Sequence, residues 1–348
     1  MEAIRAAELL IDKIKRDYPD DISFVLLMGS YLYHDTHDKS DVDLCFCAKT
    51  KRGEQLSQVF ILDGVGYDFW CIPWERLERI ANHEERITSL LTEGKLLYYG
   101  NEDDLARFQY LRDKALDTGD REKFRCRARE ELDRTYRAYF ALQHVETLSE
   151  ARRHAFEVLF PLTYSIALLN RTTVKRGRGK LKGEILAMPL VPEDFATLYD
   201  VVFQSREIAE IRCSIERLIR STERLLEQER KSAAGMPVPA RDRVRGLYEE
   251  MINFYNKIEH GCAVGDYQTA LFAAVELTEE WKEAFCGTDV SIDELPDLIG
   301  AFDPTRPERL LAAVREHQAG LLRILDDHGV CIREYPDIEA LRQHLDRL

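Results

Sequence analysis

The segment GSYLYHDTHDKSDVDL, residues 29–44, separates a Gly-Ser pair from an Asp-Val-Asp-Leu motif by ten residues. The apolar run ISFVLLM at 22–28 comes immediately before it, and the apolar run VDLCFCA spans 42–48. Short, nearly continuous apolar runs are typical of buried β-strands. We therefore predict two strands, 22–28 and 42–48, connected through this segment.

Two acidic residues beside the second predicted strand, Asp41 and Asp43, are candidate metal ligands. Side chains at i and i+2 of a strand share a face, so both carboxylates should project together, away from the core. Adjacent carboxylates repel each other unless a cation lies between them, and Mg²⁺ prefers oxygen ligands. The pattern predicts a magnesium site, with two ions expected for phosphoryl transfer. The alternative is a pair of surface acids at a strand end.

A third candidate acid, Asp68, lies in the run QVFILDGVGYDFWCI at 58–72. Asp-Gly at 63–64 is a preferred two-residue turn, so the run predicts a β-hairpin. A charge in the middle of an apolar strand is unfavourable unless it is paired or binds a metal. We therefore predict Asp68 as a metal ligand, or else as an acid paired with a basic residue. Asp63 competes for the role, but turn chemistry alone explains it.

The Gly-Ser pair is a candidate phosphate-binding element. Glycine after a strand allows the backbone to approach a phosphate closely. If residues 30–36 open a helix, its free N–H groups and the Ser30 hydroxyl would point at that phosphate. Gly29 and Ser30 are therefore predicted nucleotide-binding residues.

A basic run, KRGRGKLK at 175–182, is the strongest local concentration of positive charge in the helical part of the chain. Such a run can bind a triphosphate or an anionic acceptor. The alternative is a solvated loop between two helices.

The fold class predicted from the whole sequence is α+β, with a small mixed α/β core at the N-terminus followed by a large α-helical region. Helical periodicity dominates from about residue 103 onward. The stretch SAAGMPVPAR at 232–241 contains one Gly and two Pro and has the composition of a linker. We predict a core at 1–102, a helical domain at 103–235 and a helical region at 236–348.

Composition excludes several classes of protein. The formal net charge of −14 argues against non-specific binding of nucleic acid. The eight cysteines include no Cys-x-x-Cys pair, so neither a zinc module nor a disulfide scaffold is expected. No apolar stretch is long enough to span a membrane, and the first residues have the pattern of an amphipathic helix instead of a signal peptide. We expect a cytoplasmic protein with no membrane partner.

Taken together, these motifs resemble those of the DNA polymerase β-like nucleotidyltransferase superfamily. The family pattern is a hydrophobe with Gly-Ser or Gly-Gly, about ten residues, then alternating acids and hydrophobes, and a third carboxylate on a later strand. Here Gly-Ser at 29–30, Asp-Val-Asp-Leu at 41–44 and Asp68 match it, and Ser40 matches the common residue before the first acid. An N-terminal core with a helical C-terminal part is similar to the aminoglycoside and lincosamide nucleotidyltransferases.

The resemblance implies a Mg²⁺-dependent enzyme that transfers a nucleoside monophosphate from an NTP, expected to be ATP, to a hydroxyl and releases pyrophosphate. Asp41, Asp43 and Asp68 would bind metal and act in catalysis, and Gly29 and Ser30 would bind the nucleotide. The expected acceptor is a small, aminoglycoside-like antibiotic. The alternatives are transfer to a protein or tRNA, and a non-catalytic nucleotide-binding regulatory module.

One departure from the family pattern is the sequence Tyr-Leu-Tyr at 31–33, where many members have a small residue followed by glycine. Bulky side chains there would reshape the pocket for the base or the acceptor. The nucleotide base therefore stays open, as do the general base and the oligomeric state.

Overall fold

The predicted strands pair into one mixed sheet in a computed structural model of the chain, which describes residues 2–33, 40, 42–233 and 237–347. Strand 22–28 is confirmed, and the second strand begins at Asp43, one residue later than predicted. The N-terminal elements are α1 (Glu2–Asp17), β1 (Ile22–Met28), a 3₁₀-helix (Gly29–Tyr33), β2 (Asp43–Ala48), α2 (Lys51–Glu54), β3 (Gln58–Leu62), β4 (Val65–Cys71), α3 (Trp74–Ala81), α4 (Ser89–Thr92), β5 (Lys95–Tyr99) and α5 (Glu102–Leu116).

The strand order in the sheet is β3-β4-β2-β1-β5. The predicted hairpin is confirmed, since β3 and β4 pair antiparallel around Asp63 and Gly64. Both turn residues have positive φ, 48° and 74°, as a two-residue hairpin turn favours. Strands β2 and β4 are parallel, whereas the other neighbours are antiparallel. The edge strands are β3 and β5.

The two faces of the sheet are covered by different helices. On the face we call the α1 face, Leu44 and Phe69 pack with Ile14 of α1. On the opposite face, the α5 face, Cys45 packs with Phe108 of α5 and with residues of α3 and α4. Residues alternate between the faces along each strand, so Asp43 lies on the α5 face together with Cys45.

Helices and their connecting loops form the rest of the described chain, which confirms the predicted fold class of a small mixed α/β core followed by a large α-helical region. The helical segment that begins at Arg121 breaks at Arg134 and ends at Gln143. The remaining helices are α6 (Arg121–Asp133), α7 (Thr135–Gln143), α8 (Leu148–Leu169), a 3₁₀-helix (Arg178–Lys180), α9 (Leu181–Leu186), α10 (Phe195–Gln204), α11 (Ile208–Ala233), α12 (Ala240–Arg243), α13 (Leu247–Val264), α14 (Tyr267–Phe285), α15 (Leu298–Ala301), α16 (Pro307–Asp327) and α17 (Ile338–Leu345).

The chain forms two compact units, Met1–Arg230 and Lys231–Leu348. The first contains the sheet and a separate helical core from α6 to α11, and the second has its own core, centred on Trp281. The three-part division at 1–102, 103–235 and 236–348 stays a prediction, and residues 234–236 of the expected linker lie outside the described residues. No helix in the described part of the chain combines the length and apolar character needed to cross a bilayer.

Candidate active site

The end of β1 meets the start of β2, which brings the Gly-Ser pair against one of the predicted acids. Met28 pairs with Asp43, and Gly29 then turns into the 3₁₀-helix with φ +79°. A Cβ atom on residue 29 would lie 1.9 Å from Oδ2 of Asp43. Only glycine fits this position, because an L side chain would be strained and would also collide with the carboxylate.

The third predicted acid, Asp68, lies next to Asp43 on the neighbouring strand. In the parallel pair of β2 and β4, Leu44 is opposite Phe69. The preceding residues, Asp43 and Asp68, therefore lie side by side on the α5 face, on strands about 4.8 Å apart. Asp43 is half-buried and Asp68 is exposed. Two carboxylates that are 25 residues apart in sequence thus share one face of the sheet.

The exposure of Asp68 corrects one sequence argument. The unfavourable burial of a charge in an apolar strand was the reason for singling it out, and that reason is wrong. Only the α1 face of β4 is fully buried here, through Tyr67 and Phe69. The role of Asp68 as a metal ligand stays a prediction that now rests on its position beside Asp43. Asp63 occupies the tip of the hairpin, as turn chemistry predicts.

The structure describes two of the three predicted metal ligands, Asp43 and Asp68. Asp41 lies outside the described residues, and Ser30 is half-buried in the 3₁₀-helix. Among the described residues there is no cluster of three or more His, Cys, Asp or Glu side chains that could hold a metal. Asp43 and Asp68 provide two carboxylates on one partly open face. This donor chemistry fits Mg²⁺, which usually completes its shell with water and phosphate oxygens.

The basic run at 175–182 contacts residues near the end of β1, a location that could not be predicted from the sequence. Lys175 forms an ion pair with Glu93, with Nζ 2.7 Å from Oε1. The guanidinium of Arg176 lies 5.4 Å from the centre of the Tyr33 ring. Tyr33 belongs to the 3₁₀-helix that begins at Gly29, and Glu93 lies two residues before the start of β5. The first two cations of the run are therefore at the same end of the sheet as Gly29.

Glu184 holds this part of the run in place. Its carboxylate accepts hydrogen bonds from the backbone N–H groups of Lys175 at 3.0 Å and Arg176 at 2.9 Å. Further along, the Arg178 guanidinium stacks 5.0 Å from the Phe160 ring, and Lys182 pairs with Asp200 at 2.6 Å. The basic run is thus divided: its first residues face the sheet, whereas Arg178 and Lys182 contact the helical region.

The ring beneath Arg176 is kept neutral. The pKa of Tyr33 is raised to about 12, mainly by burial and also by the nearby Glu93 and Glu184, while Arg176 acts in the opposite direction. A neutral tyrosine ring attracts the guanidinium through a cation–π contact and, unlike a phenolate, does not neutralise its positive charge.

The charges are ordered across the sheet. Lys175 and Arg176 lie on the β5 side, Gly29 lies at the end of β1, and Asp43 and Asp68 follow on β2 and β4. Phosphate oxygens would find cations and an accessible backbone on one side and carboxylates suited to a metal on the other. A nucleoside triphosphate with its metal would require this combination of groups.

Comparisons with known proteins found similarity to solved structures but not to family models or curated proteins. No protein-family model matches the sequence, and no curated protein is significantly similar to it. Among solved structures, the chain is similar to a nucleotidyltransferase-like protein from Exiguobacterium sibiricum, with 12% sequence identity over 95% of this chain and 96% of that one. The TM-score is 0.38, and a similarity at that level carries no argument about function or site residues.

Proposed function

We propose that the protein is a metal-dependent nucleotidyltransferase that moves a nucleoside monophosphate from an NTP, with ATP as the expected donor, to an acceptor hydroxyl. The observation that carries the proposal is the contact of Gly29 with the Asp43 carboxylate, with Asp68 alongside on the next strand. A turn that admits only glycine beside paired acids is what a joint phosphate and metal site requires.

In this proposal the binding groups have separate tasks. Gly29 and Ser30 hold the phosphates, and Arg176 offsets the charge on the part that leaves as pyrophosphate. Asp43 and Asp68, together with Asp41, would hold Mg²⁺. When bound, Mg²⁺ offsets phosphate charge and supports an in-line displacement at the α-phosphorus. The antibiotic-like acceptor rests on the family resemblance alone.

The test is the substitution Asp43→Asn in the full chain, with Asp63→Asn as a matched control. Label transfer from α-labelled ATP and pyrophosphate release are measured over a panel of hydroxyl acceptors that includes aminoglycosides. We expect Asp43→Asn to lower the rate roughly 100-fold or more, because an amide is a poor ligand for Mg²⁺. Asp63→Asn should keep wild-type activity, since Asn also suits its turn.

Two results would contradict the proposal. The first is full activity of Asp43→Asn, which would show that the site is elsewhere. The second is wild-type protein that neither binds ATP in the presence of Mg²⁺ nor releases pyrophosphate from it.

A further inference from the structure

We infer, on the basis of the proposed function, that two exposed apolar residues of β3, Val59 and Ile61, form the floor of the acceptor site. We call these two residues the β3 strip. The acceptor is then a hydroxyl compound with an aryl or alkyl group next to the reacting hydroxyl. This narrows the acceptor class beyond what the paired acids and the basic run imply.

The register of the β3–β4 hairpin places the strip beside the predicted acids. Val59 pairs directly with Asp68, and Ile61 pairs with Gly66. Cross-strand partners project on the same face, with Cβ atoms about 4.5–5.5 Å apart. The strip therefore lies on the α5 face, next to Asp68 and on the side away from Asp43.

The strip is open and plays no part in the hydrophobic core. Val59 is 80% exposed and Ile61 is 79% exposed. A Cβ atom on Gly66 would meet no atom of the described residues within 4 Å, so none of these residues fills the space beside Ile61. The residue between them, Phe60, instead points to the α1 face and stacks on Tyr67 with ring centres 5.3 Å apart. Packing of β3 therefore depends on Phe60, and the strip is available to a ligand.

Charge complementarity decides which substrate occupies which side. The pyrophosphate part of a triphosphate would be attracted to Arg176, on the β5 side of Gly29, where Lys175 already pairs with Glu93. In an in-line displacement the attacking oxygen approaches the α-phosphorus opposite the leaving group. The acceptor hydroxyl must then come from the opposite side of the sheet end, where Asp68 and the β3 strip lie.

The reaction at this position balances without a further reagent. The acceptor oxygen forms a bond to the α-phosphorus, and the bond from that phosphorus to the leaving pyrophosphate oxygen breaks. The hydroxyl proton passes to solvent water, which can reach this end of the sheet because Asp68 is exposed.

The first experiment measures binding directly by methyl NMR of the full chain with Mg²⁺ and a non-hydrolysable ATP analogue. The probes are 3-phenyl-1-propanol, an apolar alcohol, and glycerol, a polar one. We expect the Val59 and Ile61 methyl resonances to shift with 3-phenyl-1-propanol at a concentration at least tenfold below any effect of glycerol. Equal responses to both alcohols, or shifts confined to methyl groups elsewhere, would overturn the inference.

The second experiment uses Val59→Thr and Ile61→Thr, which keep the branched shape and the strand preference but add a hydroxyl. Val264→Thr is the matched control, because Val264 is 60% exposed in the second unit. The Kd for 3-phenyl-1-propanol should rise about tenfold in each β3 variant and stay unchanged in the control. An unchanged Kd in both β3 variants would refute the role of the strip. Selective binding without any transfer from ATP would instead count against the proposed enzyme activity.

Discussion

Gly29 is constrained twice, by its positive φ and by the carboxylate that lies against it. The φ of +79° costs an L residue about 1–2 kcal/mol. The contact with Asp43 is a separate constraint, since a methyl group in this place would displace the Oδ2 atom. The residue therefore affects both stability and the position of a predicted ligand.

The first residue-scale prediction is that Gly29→Ala loses activity out of proportion to its loss of stability. We expect the free energy of unfolding to fall by about 1–2 kcal/mol, because of the positive φ. Nucleotidyl transfer should fall roughly 100-fold, because Asp43 is displaced. Urea denaturation and the labelled-ATP assay measure the two effects.

The control for this variant is Gly183→Ala in α9, where a Cβ atom would meet no atom of the described part of the chain within 4 Å. Alanine favours a helix by roughly 0.5–1 kcal/mol over glycine, so this variant should be as stable as wild type or more so. Wild-type activity in Gly29→Ala would show that Asp43 has no role in transfer.

Sequence patterns could predict some of this site and not the rest. The spacing of Gly29 and Asp43 across a strand end is a local feature, and the structure places them in contact. The exposure of Asp68 was missed, because alternation along a strand does not tell which face other elements cover. The contact of Arg176 with Tyr33 was also missed, since no local pattern links segments so far apart in sequence.

Among the elements, the sheet combines a local and a non-local pairing. The β3–β4 hairpin is joined by two residues, and its turn chemistry predicts it. The parallel pairing of β4 with β2 connects segments with α2 and β3 between them, and the sequence gives no register for it. Yet this parallel register is what brings Asp68 beside Asp43.

The basic run supports an element-scale prediction, that Arg176→Gln weakens binding of the nucleotide. We expect KM for ATP to rise about tenfold, because one charge-assisted contact to phosphate is lost. Lys182→Gln is the matched control from the same run, since Lys182 pairs with Asp200. Steady-state kinetics at low salt and at 0.5 M salt measure KM for ATP in both variants and in wild type. The increase in KM caused by Arg176→Gln should be smaller at 0.5 M salt, because salt screens the charge of Arg176.

A purely structural role for Arg176 gives a different pattern. In that case Arg176→Gln would lower the melting temperature, through loss of the contact with Tyr33, and leave KM for ATP unchanged. That outcome would remove the basic run from the proposed phosphate site.

At the scale of the whole molecule, the second unit contains a buried polar group with a consequence for stability. His317 of α16 is 4% exposed, and its Nδ1 atom lies 2.9 Å from the Tyr255 hydroxyl of α13. Burial lowers the pKa of His317 from 6.5 to about 4. The imidazole is therefore neutral in the folded unit at physiological pH.

We expect this histidine to make the second unit sensitive to mild acid. Below about pH 6.5 the unfolded chain binds a proton at this residue, whereas the folded unit does so only near pH 4. The contribution of His317 to the free energy of unfolding is thus fully present above pH 6.5 and is lost as the pH falls toward 4. Denaturant titrations of the full chain between pH 7 and 4 measure how the free energy of unfolding changes with pH.

The comparison is with His317→Gln, which should show a shallower decrease over the same pH range. His328→Gln removes an exposed histidine at the end of the same helix and should keep the wild-type slope. If the free energy of unfolding depends on pH in the same way in wild type and His317→Gln, His317 is not the cause of the acid sensitivity.

The register between β2 and β4 also couples packing to chemistry. A slip of one residue would turn Asp68 toward the α1 face and bring Tyr67 and Phe69 to the open face. The same register therefore buries the two aromatic rings and aligns the two carboxylates. Across the protein's evolutionary history, selection for catalysis would therefore also conserve these aromatic side chains, although neither would touch a substrate.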